Sequence, residues 1–391
     1  MKVSAFAQVG YRTFPEDFEQ HHDSSVDTPW RLADPREVRA TFRDYLDGLM
    51  LAARSGFDGL VFTEHAQASY DMSANPSLTA SALAYATESE GLDVAIFPAG
   101  RSLGKSREPV RVAEEYAAID TVSGGRLVAG FPVGLPYDAC LNNGIPPIEL
   151  RPRFDENLEL ILRAWREDTP FAWNGTFSQL PSVNIWPRPQ QRPRPPVWLT
   201  GIGNPGTIQI ALDRDFGFNY FSWFGIKATG PRVFDRFWEL ADRQELSRNP
   251  YRLGLMQVVG VAETDAEAVR IFQPHVEYLF HKGPGAIKAE KPGDPGHHRP
   301  ARAAGADARP VRHGHRWQAA HGGLRRVGGH GIGDRRESKH RAGTDCRGRA
   351  PVPDRQPARD AAVWLDAASD GDGQYRAVRR DRAPDASAPV D

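Results

Sequence analysis

Between residues 108 and 134 the chain reads EPVRVAEEYAAIDTVSGGRLVAGFPVG, a helix that runs through a double glycine straight into a short apolar strand. Pro109 suits the first turn of that helix, because its fixed φ and missing N–H cost nothing there. Val110, Ala113 and Ala117 fall on one face at helical spacing, Gly124 and Gly125 stop the helix, and 127–131 reads as a buried strand. Such a unit is half of a βαβ repeat, and it commits its neighbours to an α/β fold.

The same alternation runs through most of the chain. Strands are predicted over 3–8, 60–63, 92–97, 127–131, 197–200, 219–223 and 253–261. Between them, helices are predicted to start after Asp34 and to cover 78–86, 109–122, 151–165, 207–212, 233–246 and 265–280. At the first of these, Asp34 is the N-cap, Pro35 the first residue, and Glu37 the third, completing a capping box. Val38, Phe42, Leu46, Leu49 and Ala53 then form its buried stripe. Strict β/α alternation demands a parallel sheet with right-handed crossovers. Seven strand candidates predict a TIM-type (β/α)8 barrel with its last unit missing or replaced by a disordered tail. The proline-rich run to Pro196 is expected to be extended or looped, with Asn174-Gly175-Thr176 as a turn.

Composition divides the chain near Gly285. Residues 1–285 carry the periodic pattern, whereas 286–391 are rich in Arg, Gly, Ala and Pro, with Val363-Trp364-Leu365 as their one apolar cluster. Such a tail buries too little apolar surface to offset its ordering entropy and is expected to be disordered. The net charge of −1 gives no electrostatic case for nucleic acid or an anionic membrane as partner. Only Cys140 and Cys346 are present, which excludes a disulfide framework and fits a cytoplasmic protein. No apolar run approaches a membrane span. The histidines, including His21-His22 and those of the tail, lack the spacing of a defined metal site.

Several segments together resemble the bacterial-luciferase-like flavin-dependent monooxygenases. Pro109, Arg111, Ala113, Glu114, Asp120, Ser123, Gly125 and Arg126 match the helix that feeds the strand beside the flavin in that family. Gly56-Phe57-Asp58 through Glu64-His65 matches its GFD…EH segment, and Asn75-Pro76 and Trp186-Pro187-Arg188-Pro189 follow in order. The resemblance covers about Val3 to Gly285, beyond which the text resembles a GC-rich gene read out of frame. It implies a two-component enzyme: reduced FMN from a separate flavin reductase, O2, and one oxygen atom placed in a small organic substrate. A deazaflavin-dependent oxidoreductase of the same fold and a non-catalytic flavin-binding relative stay open, as does a homodimer.

The resemblance places His65 at the mouth of the fold as the catalytic residue, with an imidazole suited to proton transfer near neutral pH. A histidine simply satisfied by a backbone carbonyl is the alternative. The family's second histidine is Ala66 here, and Glu64 is read as orienting a neighbour. Gly201-Ile202-Gly203-Asn204-Pro205-Gly206 follows a strand and opens a helix, so backbone N–H groups there suit the FMN phosphate, with Thr207 adding a hydroxyl. A plain tight turn is the competing reading. The resemblance expects an arginine at Val133, for which Arg101 is the substitute. Ala99 and Gly100 are expected beneath the flavin ring, where the family often has a non-prolyl cis peptide, and Tyr70 and Trp223 are candidate walls of the substrate pocket.

Overall fold

The structure is a computed structural model that describes residues 1–22, 28–135, 137–221, 226–283 and 362–366. Strands and helices alternate as β1 (Val3–Ala7), α1 (Phe18–His21), α2 (Pro35–Arg54), β2 (Gly59–Phe62), α3 (Pro76–Ser89), β3 (Ala95–Pro98), α4 (Pro109–Val122), β4 (Ala129–Gly130) and α5 (Leu150–Arg166). After a hairpin of β5 (Phe171–Asn174) and β6 (Gln179–Val183) come β7 (Val197–Gly201), α6 (Pro205–Asp213), β8 (Gly217–Phe221), α7 (Ile226–Arg243), β9 (Leu253–Val258), α8 (Asp265–Lys282) and β10 (Ala362–Asp366). The fold is α/β, as its sequence predicts.

One sheet carries the strands in the order β3-β2-β1-β10-β9-β8-β7-β4. Its pairings are parallel except those of β10, which runs antiparallel to both β1 and β9. The sequence reading leaves the place between the first and last parallel strands without a strand; β10, built on the tail's one apolar cluster, lies there instead. The remaining tail positions, for which disorder and a shifted frame are expected, lie outside the described residues.

Residues 126–131 bond to both sides. Val128 N–H donates to Ile96 O (2.9 Å) and Ile96 N–H to Arg126 O (2.9 Å), while Ala129 and Phe131 N–H donate to Pro196 O and Trp198 O (2.8 and 2.9 Å). This stretch therefore links β3 with β7.

Both faces of the sheet are buried, which is why its parallel strands read as apolar runs. On the helical side, Leu60 and Phe62 of β2 join Leu49, Leu83, Tyr116, Trp165, Ile208 and Phe237 in the main core. On the other side Val61 packs with Phe6, Phe97, Ala99 and Met256. The aromatic stack of Tyr116, Phe131 and Trp165, with centroids 5.2 and 6.2 Å apart along it, ties α4, the strand segment and α5 together. Tyr116 also donates its hydroxyl to Pro98 O (3.3 Å), so core packing positions the turn after β3.

Local chemistry differs from expectation in two places. Asp34 caps α2 through Arg36 N–H (2.8 Å), but Glu37 pairs with Arg12 (3.1 Å) and Asp34 N–H donates to the Tyr11 hydroxyl (2.8 Å), so the capping box does not form. The region 171–183, read as extended or looped, is an antiparallel hairpin turning at Gly175, whose N–H donates to Ser178 O (2.8 Å). Glu156 of α5 holds that turn by accepting from the N–H groups of Thr176, Phe177 and Ser178.

Candidate functional site

The segment after β2 is pinned by a buried carboxylate. Asp71 is fully buried and accepts from Val9 N–H (3.3 Å), Ser73 N–H (3.2 Å) and the Thr63 hydroxyl (2.7 Å). Burial pushes its carboxyl up to about 6, against the opposing influence of His65 and of these hydrogen bonds. His65 N–H donates to Ser73 O (3.0 Å), which fixes the backbone that carries the imidazole.

The imidazole faces a second buried carboxylate. His65 Nδ1 lies 2.9 Å from Asp138 Oδ2, and the other carboxylate oxygen accepts from Ala66 N–H at 2.8 Å. Asp138 lies in a π-helical turn, Tyr137–Leu141, whose Tyr137 hydroxyl is 3.2 Å from the same Nδ1. Tyr70 packs against the ring with a centroid separation of 4.8 Å. Among the described residues, its own buried hydroxyl has no hydrogen-bond partner. Among the described residues nothing bonds His65 Nε2.

Behind the histidine the charges are paired and buried. Glu64 lies 2.6 Å from Lys105 Nζ and 3.3 Å from Arg101 Nη1. Lys105 Nζ also lies 3.8 Å from Asp138. Arg101 further reaches Glu115 (3.4 Å) and Asn75 (3.1 Å). Its guanidinium is turned into the protein, which argues against Arg101 as the substitute for the expected phosphate arginine.

The Ala99–Gly100 turn lies under this network but is crowded by protein. A side chain on Gly100 would meet Glu64 N at 2.5 Å and Thr63 Cα at 2.6 Å. Ala99 is buried in the inner cluster, and its N–H still pairs with Phe62 O (2.9 Å). Among the described residues the cis peptides are Trp186-Pro187 and Arg192-Pro193, so the cis bond expected at this turn is not found.

At the end of β7 the glycine turn leads into α6 as expected. Asn204 caps the helix, accepting from Gly206 N–H (2.9 Å) and Thr207 N–H (3.3 Å). Gly203 has φ +91°, and a side chain there would meet Val233 Cγ2 at 2.6 Å, so glycine is needed for the turn itself. Gly201 opens the turn at the last residue of β7. Thr207 is buried, and its hydroxyl accepts from Arg151 Nη1 at 3.1 Å. Arg151, at the start of α5, thus brings to the turn a positive charge that sequence reasoning missed. Trp223 lies outside the described residues.

Sequence reasoning also missed Asp138, Tyr137, Lys105 and Asp71. Only Asp71 carried a readable signal, an Asp two residues before Ser73, the spacing of an Asx turn. Asp138 and Lys105 meet His65 and Glu64 through long-range folding, and nothing local marks them.

Residues 18–334 match the family described as luciferase-like monooxygenase, a match that runs past Gly285. The chain belongs to that family. It is 26% identical over 185 residues to the oxygenase component of the flavin-dependent trigonelline monooxygenase of Acinetobacter baylyi, covering 46% of this chain and 49% of the relative. It is 29% identical over 184 residues to the FMNH(2)-dependent dimethylsulfone monooxygenase of Pseudomonas putida, again covering 46% and 49%. The chain thus spans about half the length of these relatives. In fold it is similar to the oxygenating constituent of 3,6-diketocamphane monooxygenase of Pseudomonas putida, a type II Baeyer-Villiger monooxygenase in complex with FMN. That match has a TM-score of 0.53 and 21% identity, and it covers 62% of this chain and 69% of the other. No helix among the described residues is long and apolar enough to cross a membrane.

Proposed function

We propose that this chain is the oxygenase of a two-component system, using reduced FMN from a separate flavin reductase and O2 to oxygenate a small organic substrate. Its strands then form a TIM-type barrel, closed where residues 126–131 bond to β3 and β7, to which residues 1–285 contribute every strand but β10. The observation that carries the reading is His65, held by a buried carboxylate at the end of β2 in a chain of this family.

The donor set suits a flavin phosphate: Arg151, the Thr207 hydroxyl and the turn 201–206 meet at one helix N-terminus. When bound, reduced FMN supplies the electrons that activate O2. The protein's part is positional. His65 Nε2 holds or moves a proton at the reacting oxygen, the Tyr70 hydroxyl donates a hydrogen bond, and Tyr70 and Tyr137 exclude water around the imidazole. Glu64 acts through Lys105 and Arg101 to keep the turns after β2 and β3 in register.

The test is oxygen uptake by the full chain with chemically reduced FMN, over a panel of lipophilic carbonyl, aromatic and sulfur compounds. Substrate-coupled uptake supports the reading. Uptake that ends only in hydrogen peroxide across the panel, or binding confined to a deazaflavin, counts against it.

A further inference from the structure

We infer that Asp138 is the positioning residue that fixes His65 in its Nδ1–H tautomer, leaving Nε2 as the working lone pair. This inference rests on the proposed role of His65, and it makes a claim about the protein without its cofactor. An ionised carboxylate only accepts hydrogen bonds. At 2.9 Å, Asp138 Oδ2 therefore requires the proton on Nδ1, since a bare Nδ1 would set lone pair against lone pair. The Tyr137 hydroxyl, 3.2 Å from the same atom, could donate only to a bare Nδ1, and the closer carboxylate outcompetes it.

Asp138 is itself held from two further directions. Its side chain is 3% exposed, Ala66 N–H donates to Oδ1 at 2.8 Å, and Lys105 Nζ balances its charge from 3.8 Å. Asn143 Nδ2 donates to Asp138 O (2.6 Å) and Asn142 Nδ2 to Ala66 O (2.7 Å), clasping the π-helical turn to the backbone beside His65. When Nε2 takes a proton from a bound O–H group, the imidazolium carries one proton on each nitrogen. Asp138 then faces that positive charge directly.

The inference is tested by 15N NMR of histidine-labelled apo protein, with His65 assigned by its loss in His65→Gln. In the wild type, neutral His65 is expected to show a protonated Nδ1 and a bare Nε2. Asp138→Asn can still accept from Ala66 N–H through its oxygen, but it turns an NH2 toward Nδ1. The tautomer is then expected to invert. In the oxygen assay, product formed per O2 consumed should fall at least tenfold while FMN affinity stays within twofold.

A wild-type His65 carrying its neutral proton on Nε2 overturns the inference, whether or not Asp138→Asn folds. So does an unchanged tautomer in a variant whose circular dichroism and melting match the wild type. An inverted tautomer in a protein that oxygenates nothing on the panel supports Asp138 as the positioning residue and counts only against the proposed function.

Discussion

At the ends of β2 and β3, His65, Glu64, Lys105, Arg101 and Asp138 form a largely buried, mutually paired network drawn from segments up to 73 residues apart. At the end of β7, the turn 201–206 is built from its own neighbours: Asn204 caps the helix it precedes, and Gly203 supplies the left-handed backbone. The first region is an assembly of long-range polar contacts with almost no slack, suited to holding one proton in one place. The second is a local scaffold that leaves a half-exposed cation, Arg151, at a helix N-terminus, suited to an anion that comes and goes. Under the proposed function, the first region would keep the acid/base groups assembled and the second would receive a flavin from outside.

The largest expected effect is at the first region. In His65→Ala the coupled product rate is expected to fall roughly 10²–10⁴-fold, the usual cost of losing one general acid/base. Hydrogen peroxide should replace product, and FMN affinity, read by flavin fluorescence, should be retained. Wild-type coupling in the variant removes His65 from the mechanism.

Next comes Gly203→Val at the second region. On sequence alone this substitution is expected to block the phosphate and spare the fold. The structure adds a φ of +91° and a contact of 2.6 Å with Val233, so the fold is affected as well. Backbone strain and overpacking together are expected to cost roughly 4 kcal/mol in urea denaturation. Unchanged stability with weakened FMN binding would return Gly203 to a role in ligand approach alone.

How much of this was legible follows the same division. The β/α order, Pro109 at the start of α4, the cap at Asp34 and the glycine turn rest on local chemistry, and all are visible in the sequence. The β5–β6 hairpin was half legible: the Asn174-Gly175 turn was read, but its flanks were assigned to the proline-rich run that follows. Asp138 was illegible because its partner is 73 residues away and the π-helical turn that aims it has no sequence signature. The antiparallel β10 was illegible in a different way, its apolar cluster being recognised without any sign of where it would pair.

Asp71 allows the first region to be probed without touching the imidazole. Its carboxyl, raised to about 6 from an ordinary 3.8, binds its proton more tightly in the folded protein than in the unfolded chain. Stability from this group is therefore highest below pH 4 and falls as pH rises through the window from about 4 to 6. The loss is on the order of 3 kcal/mol at most. In Asp71→Asn the oxygen still accepts from Val9 and Ser73, and Thr63 can turn its hydroxyl to accept instead. Urea midpoints at pH 4, 5, 6 and 7 should thus converge in the variant relative to the wild type. Parallel profiles for the two proteins would show that Asp71 titrates normally.

The smallest effect is expected at Arg151. Its side chain is 35% exposed, it pairs with Asp155 at 3.3 Å, and it donates to Thr207 at 3.1 Å. Exposed ion pairs of this kind add little to stability, so Arg151→Ala should leave the melting temperature nearly unchanged. A phosphate gains more from a guanidinium at a helix N-terminus than a neutral ring does, because charge-assisted bonds are the stronger kind. FMN affinity is therefore expected to fall roughly tenfold, about 1.4 kcal/mol. Riboflavin, which has the same ring and no phosphate, should bind wild type and variant alike. A tenfold loss for both ligands would mean that Arg151 shapes the pocket rather than meeting the phosphate. No loss for either would leave the turn after β7 as structure alone, with the flavin phosphate held elsewhere.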